Sequence, residues 1–184
     1  MKILVIDIET SGFLNAGGKI VEVGIVSLDL TNGEREIVFS SLVHERPITL
    51  EEVQKSWIVQ SGYITVEEIR NSPMLSEKLP EIQSIISAHE HGATAFNRSF
   101  DFDFLESRGI KFPKKLPCPM LLSTPICKCP NTNRGGYKWP KVTEAYKFFF
   151  PESEYDELHR GADDAFHEAS IVYELHKLGL IINQ

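Results

Sequence analysis

Residues Ile3–Gly12 read ILVIDIETSG, an apolar run followed by acidic and small polar residues. The apolar first half predicts a buried strand over residues 2–8. Two acidic residues, Asp7 and Glu9, follow at positions i and i+2. Because side chains alternate across a strand, both carboxylates lie on one face and can bind a cation between them. Mg²⁺ and Mn²⁺ prefer such oxygen ligands, so the pattern indicates a metal site at a strand end.

Two segments farther along the chain supply more acidic residues. Asn97–Leu105 reads NRSFDFDFL and contains Asp101. His159–Ala165 reads HRGADDA and contains Asp164. The three segments together predict a catalytic metal site whose carboxylates are Asp7, Glu9, Asp101 and Asp164.

The three segments resemble the three motifs of the DEDDh, or DnaQ-like, 3′–5′ exonucleases, which have a ribonuclease H-like fold. Asp7–Gly12 matches the D-x-E-T-x-G opening, Asn97–Asp101 matches N-x-x-F-D, and His159–Asp164 matches H-x(4)-D. The resemblance extends over residues 5 to about 170. One departure is Gly161, where members often have alanine, and we expect a slightly altered turn there.

The resemblance implies a metal-dependent 3′–5′ exonuclease that releases nucleoside monophosphates from single-stranded DNA or RNA. It implies two Mg²⁺ or Mn²⁺ ions, with Asp7 bridging both. Glu9 and Asp101 would support one ion, and Asp164 would hold the ion that carries the attacking water. His159 is the candidate general base, because an imidazole titrates near the working pH.

Five residues beside the motif carboxylates are candidates for substrate binding. Thr10, Ser11 and Gly12 follow the first strand and are placed to line the pocket for the terminal sugar, where glycine permits close backbone approach. Asn97 and Phe100 are candidates for positioning the terminal nucleotide. For Phe100, a purely structural role in the core is the favoured alternative.

Helical geometry decides between neighbouring acidic residues. Asp101 and Asp103 lie about 200° apart on a helix, so only one can face the metals, and the motif selects Asp101. The five-residue offset from His159 selects Asp164 over Asp163. Since positions five apart differ by about 140°, His159 is predicted in the loop before the helix, with Asp164 about one turn inside.

The pattern of apolar residues predicts three strands at the start of the chain. Runs 19–29 and 34–43 are rich in β-branched residues and are separated by Thr31-Asn32-Gly33, a hairpin signal. The resemblance adds a fold class, α/β with a ribonuclease H-like mixed sheet: three N-terminal strands with an antiparallel hairpin, then parallel strands, flanked by helices. Residues 92–96 predict a further short strand.

Helices are predicted in the rest of the chain. Thr49 and Thr65 each begin a capping-box pattern, and Ser99 is predicted to cap a helix. Pro80 is tolerated only near a first turn. Residues 111–138 have five prolines and predict an extended loop with a short strand near Met120. Further helices are predicted over residues 77–88, 140–149 and about 161–178.

Length and composition predict one domain over residues 1–184, with 42% hydrophobic and 24% charged residues. No apolar run is long enough to span a bilayer, so no membrane contact is expected. The N-terminus leads directly into the first strand, leaving no room for a signal peptide. Three cysteines (Cys118, Cys127 and Cys129) favour free thiols over disulfides or a zinc site, and hence a cytoplasmic location.

The net charge of −7 is unevenly distributed. Residues 108–147 hold nine basic residues and one acidic residue, a balance of +8, which leaves −15 for the remainder. This stretch is a candidate for holding phosphates, and a solvated lysine-rich loop is the alternative. Tyr137 and Trp139 alternate with Lys138 and Lys141, a pattern able to stack bases. The favoured alternative is that Trp139 fastens the loop to the following helix.

Three other functions compete with the exonuclease. A haloacid-dehalogenase-type phosphatase also begins with a strand-end aspartate, but Glu9 and Ser11 replace the residues its chemistry needs. A non-catalytic nucleic-acid-binding module would be expected to lack one of the ligands, and none is missing. A polymerase-associated subunit fits the same residues. The partners predicted are 3′ ends of nucleic acid, single-stranded ends favoured; a polymerase or homo-oligomer partner is left open.

Overall fold

The structure, a computed structural model, describes residues 1–46 and 50–182. Within these ranges a mixed sheet has the strand order β3-β2-β1-β4. Its strands are β1 (Lys2–Thr10), β2 (Ile20–Asp29), β3 (Arg35–Leu42) and β4 (Ala93–Thr94).

The first three strands form an antiparallel meander, and the fourth is parallel to the first. Asp7 pairs with Gly24 across β1 and β2. The hairpin between β2 and β3 is confirmed, and Gly33 takes the positive φ of 79° that its turn requires. Beyond β4, within the described residues, the sheet continues as a parallel bridge from Ala93 to Lys115.

Helices cover both faces of the sheet. They are α1 (Leu50–Lys55), α2 (Trp57–Gln60), α3 (Val66–Asn71), α4 (Leu75–Ala88), α5 (Arg98–Ser107), α6 (Pro119–Cys127), α7 (Val142–Phe149) and α8 (Gly161–Lys177), with a short 3-10 helix at Leu14–Ala16. The predicted helices over 140–149 and 161–178 are confirmed as α7 and α8. No helix in the described ranges is long and apolar enough to cross a bilayer.

Alternation along β1 divides the core into two layers. Ile3 and Val5 pack with α8 on one face, where Ala165 and Ala169 contribute small side chains. Leu4, Ile6 and Ile8 face the other way and pack with α4 and α5. Odd-numbered residues of β1 therefore face α8. Asp7 and Glu9 continue this face, which brings their carboxylates toward the start of that helix.

The extended loop predicted over residues 111–138, with a strand near Met120, is wrong in part. Pro119 occupies the first position of α6, where a missing N–H costs nothing and the fixed φ favours a helix. Met120 and Ser123 are buried on one side of that helix. Prolines in this segment therefore begin a helix rather than exclude one.

Two helix starts differ from the predictions. The residue before α5 is Asn97, not Ser99, because the helix begins at Arg98. Helix α4 begins at Leu75, where the Met74 N–H donates to the Glu77 carboxylate at 3.2 Å, so Pro80 lies in its second turn. The Thr65 capping box is confirmed. Thr49, predicted to cap the helix before it, lies outside the described residues.

Candidate active site

The first two carboxylates lie at the end of β1, and the third is fastened to the same strand. Asp7 and Glu9 are half-buried. Asp101 is the fourth residue of α5 and is buried. The Ile8 backbone N–H donates a hydrogen bond to Asp101 Oδ1 at 3.2 Å. This bond holds the start of α5 against the acidic end of β1, while Asp103 remains exposed.

Asp164 is buried near the start of α8, and two donors orient its carboxylate. The Tyr155 hydroxyl donates to Oδ1 at 2.7 Å. The Arg160 backbone N–H donates to Oδ2 at 2.9 Å. Its neighbour Asp163 is only half-buried. The carboxylate thus has a fixed direction before any ligand binds.

Two glycines let α8 approach the sheet closely. A Cβ on Gly24 would lie 2.1 Å from the carbonyl carbon of Gly161. A Cβ on Gly161 would lie 3.0 Å from the backbone nitrogen of Gly24 and 3.2 Å from the backbone oxygen of Asp7. The departure from alanine at position 161 therefore coincides with direct backbone contact between α8 and the strands that bear the acidic residues.

Glu168 is a fifth buried carboxylate at the site. The Phe96 backbone N–H donates to its Oε2 at 3.3 Å. Its charge is the largest single electrostatic contribution that raises the pKa of Asp7. Glu168 lies four residues after Asp164, hence on the same face of α8. That spacing is the signal by which the sequence could have indicated it.

Burial raises the pKa of every carboxyl group in this cluster, and repulsion from neighbouring carboxylates adds to it for Asp7, Glu9 and Glu168. Burial raises the pKa of Asp7 well above its ordinary value, and the charges of Glu168, Asp101, Glu9 and Asp164 raise it further. Burial, followed by the charge of Asp164, raises the pKa of Glu9 to about 8. Burial also raises the pKa of Asp101 to about 8. A set of buried like charges is stable only when protonated or when cations bind among them.

His159 lies in the loop before α8, as the spacing predicts, and Asp164 lies within the first turn. Its φ of 49° is in the left-handed region, which is strained for a non-glycine residue. Its ring contacts those of Trp57 and Tyr63 edge-on, with centroid distances of 4.7 and 4.4 Å. Its Nδ1 lies 3.8 Å from Glu9 Oε1. Partial burial lowers the pKa of His159, which keeps the imidazole neutral at neutral pH.

A subset of these side chains has the spacing of metal ligands. Glu9, His159 and Asp164 each offer one ligand atom, and these atoms lie within 4.8 Å of one another. No cysteine belongs to this group. Cys118 is buried, with its thiol 3.3 Å from the Phe96 carbonyl oxygen, and all three cysteines are free.

A cleft of about 390 Å³ opens beside Glu9, and we name it the terminal cleft. The three residues predicted to bind the sugar all line it, together with Phe100 and Trp57. The lining residues are Ile8, Glu9, Thr10, Ser11, Gly12, Phe13, Trp57 and Phe100. Phe100 is half-buried and also packs on Phe104, so it belongs to both core and cleft. Asn97 lines an adjoining groove instead.

Within the described residues, three of the nine basic residues in the basic stretch form ion pairs, Lys115 with Glu106 among them. Arg108 pairs with Glu45 at 2.9 Å, and Lys138 pairs with Glu144 at 2.5 Å. Trp139 is 64% exposed, so it does not fasten the loop onto α7 by burial.

The sequence of this chain is similar to part of a known polymerase. No protein-family model matches the chain. Over 128 residues it is 27% identical to the PolC-type DNA polymerase III of Clostridium perfringens (strain 13 / Type A). That match covers 68% of this chain but only 8% of the polymerase.

Solved structures give a broader match. A full-length 3′-exonuclease superposes with a TM-score of 0.70 at 18% identity, covering 98% of this chain and 62% of that one. The nuclease domain of 3′hExo, a DEDDh family member bound to rAMP, superposes with a TM-score of 0.67 at 18% identity, covering 97% and 93%. This chain has the fold of these two nuclease structures. The ribonuclease H-like fold predicted from the sequence is thus confirmed.

The site contains features that the sequence analysis missed. Tyr155 lies in an irregular segment and gives no periodic signal. Trp57 and Tyr63 lie about 100 residues before His159 along the chain. Their contact depends on how α1–α3 pack against β2, through Ile58 and Ile64 among others. No local pattern could reveal such a contact.

Proposed function

We propose that residues 1–184 form a single exonuclease domain that hydrolyses the 3′ terminal phosphodiester of single-stranded nucleic acid and releases nucleoside monophosphates. One observation supports this most strongly. The motif carboxylates converge at one end of β1, buried and with raised pKa values, beside a neutral His159. The match to a DEDDh nuclease domain solved with rAMP supports the same substrate class.

The donor set fits two divalent cations, Mg²⁺ or Mn²⁺. Hard divalent ions prefer carboxylate oxygens, and repulsion among these carboxylates is relieved when cations bind. We assign the ligands to Asp7, Glu9, Asp101 and Asp164, with Glu168 behind them. Bound ions would lower the pKa of a water molecule and offset the charge that develops on the phosphate.

The chain's own groups supply orientation and proton transfer. Neutral His159 can accept a proton from the attacking water, because one of its ring nitrogens has a free lone pair. Tyr155 and the Arg160 backbone hold the Asp164 carboxylate in place. Thr10 donates to the Gly12 carbonyl at 3.0 Å and shapes the turn that lines the terminal cleft.

The biological setting, meaning the partner protein and the compartment, is a separate proposal. The match to a polymerase favours a second candidate, a proofreading module that works within a larger polymerase assembly. The chain spans 8% of that polymerase, so the polymerase partner is a proposal. Three free thiols support a reducing compartment, and we propose the cytoplasm.

The test is incubation of the protein with 5′-labelled single-stranded DNA and RNA of matched sequence, in Mn²⁺ and in EDTA. We expect a ladder of shortened products that requires the metal. Asp164→Ala should abolish it, whereas Asp163→Ala, one residue earlier on α8, should retain it. Binding without metal-dependent cleavage of either polymer would instead indicate the non-catalytic module.

A further inference from the structure

A second groove continues from the terminal cleft along the surface. It has a volume of about 640 Å³, larger than the cleft, and we name it the distal groove. Phe13 and Phe100 line both spaces, so the two adjoin each other. The residues that line the distal groove are Phe13, Leu14, Asn15, Asn97, Ser99, Phe100, Asp103, Phe104 and Trp139.

Two highly exposed aromatic side chains border this groove. Phe13 is 71% exposed and Trp139 is 64% exposed. Large aromatic side chains are costly to leave in water, and several in one place mark a binding surface. They come from distant parts of the chain, Phe13 from the turn after β1 and Trp139 from the segment before α7. Their convergence therefore does not follow from sequence proximity.

The polar lining suits nucleobases. Asn97, Ser99 and Asp103 provide an amide, a hydroxyl and a carboxylate, which can donate to and accept from base edges. Aromatic walls with a few polar groups match flat heterocycles whose edges form hydrogen bonds. Trp139 also belongs to the stretch with a charge of +8, in which Arg134 and Lys141 are exposed and available to phosphates.

We propose that the distal groove binds the second and third nucleotides from the 3′ end of a single-stranded substrate, with Trp139 as a base-stacking platform. The proposal rests on the proposed function, because it takes the terminal cleft as the site of the last nucleotide. It assigns to this chain a preference for unpaired ends at least three nucleotides long, since neighbouring base pairs cover both faces of a base inside a duplex.

Fluorescence tests occupancy of the groove without requiring catalysis. The chain has two tryptophans, so Trp57→Phe leaves Trp139 as the sole indole. In EDTA, pentathymidylate and pentauridylate are titrated separately, with thymidine monophosphate as the short probe. We expect either pentamer to quench Trp139 emission and the monophosphate to leave it unchanged. Absence of quenching by both pentamers at saturation, judged by anisotropy of a labelled pentamer, would overturn the proposal.

Kinetics give the second readout. The p-nitrophenyl ester of thymidine 5′-monophosphate has one nucleoside, with a single small ring in place of the second nucleotide and nothing in place of the third. Loss of one base-stacking platform weakens binding about 5- to 100-fold. We therefore expect Trp139→Ala to raise the ratio of the pentamer KM to the ester KM by that factor. Phe148→Ala is the control, because Phe148 is 49% exposed but lines neither space.

The two proposals fail in different ways. Quenching by pentamers without hydrolysis of either probe would contradict the exonuclease and retain the groove. Hydrolysis of both probes with an unchanged KM ratio in Trp139→Ala would retain the exonuclease and contradict the groove. Since Trp139 is mostly exposed, the variant should fold normally, which thermal unfolding checks.

Discussion

Replacing Asp101 with asparagine should stabilise the metal-free protein. Burial raises the pKa of Asp101 from an ordinary 3.8 to about 8, so the folded state binds a proton that the unfolded state releases between these values. The free energy of unfolding therefore falls as pH rises from about 4 to about 8. At about 1.36 kcal/mol per pKa unit, ionisation of buried Asp101 lowers the free energy of unfolding by about 4 kcal/mol at pH 7 and by about 1–2 kcal/mol at pH 5.

Asparagine removes the charge and keeps an oxygen that can accept from the Ile8 N–H. We expect Asp101→Asn to raise the free energy of unfolding in EDTA by about 2–4 kcal/mol at pH 7, and by about 1 kcal/mol at pH 5. Urea unfolding followed by circular dichroism at both pH values measures the difference. Asp103→Asn, two residues along the same helix and exposed, should change stability by less than about 0.5 kcal/mol.

Metal addition should narrow this difference in stability between Asp101→Asn and the wild type. A ligand that binds only the folded state stabilises it by about 2.7 kcal/mol at 100 times its dissociation constant. Mn²⁺ should therefore stabilise the wild type strongly and Asp101→Asn weakly. A gain that is the same at pH 5 and pH 7, or no gain at either, would refute the argument from buried charge.

Three further substitutions test other parts of the site. His159→Asn should lower kcat about 10²- to 10⁴-fold, while the Mn²⁺ affinity measured by calorimetry stays nearly constant. A comparable loss of Mn²⁺ affinity would make His159 a metal ligand instead of a base. Tyr155→Phe removes the donor to Asp164 and should weaken Mn²⁺ binding about 10- to 100-fold, again by calorimetry, and an unchanged affinity would show that the Arg160 N–H suffices. Gly24→Ala should lower the free energy of unfolding by about 3 kcal/mol, because its Cβ would overlap the backbone of α8; a neutral result in urea unfolding would show that the helix can move away.

The sequence predicted the fold best where local patterns and tertiary structure agree. The alternation in β1 and the Asn-Gly turn both depend on neighbouring residues, so the first three strands appear as predicted. The helix at Pro119 was not predicted, because its stability depends on burying Met120 and Ser123 against distant parts of the chain. The local preferences of its two prolines predicted an extended loop instead.

In the candidate site, too, local spacing could be predicted and tertiary contacts could not. Motif spacing selected Asp164 over Asp163 and predicted that His159 precedes the helix and that Asp164 lies about one turn inside it. The partners that orient these groups could not be predicted, since Tyr155 and Trp57 act through tertiary contacts. Glu168 could have been found from its helical spacing. The assignment of roles to the acidic residues stays a prediction until the variants are measured.

Direct contact between Gly24 and Gly161 has a consequence for redesign of this protein. The spacing between the acidic strand end and α8 is set by main-chain atoms, not by the volume of any side chain. Repacking of the hydrophobic layers can therefore change thermal tolerance without shifting Asp7 and Glu9 relative to Asp164. An engineer seeking a new substrate could alter the groove walls freely and should leave these two positions untouched.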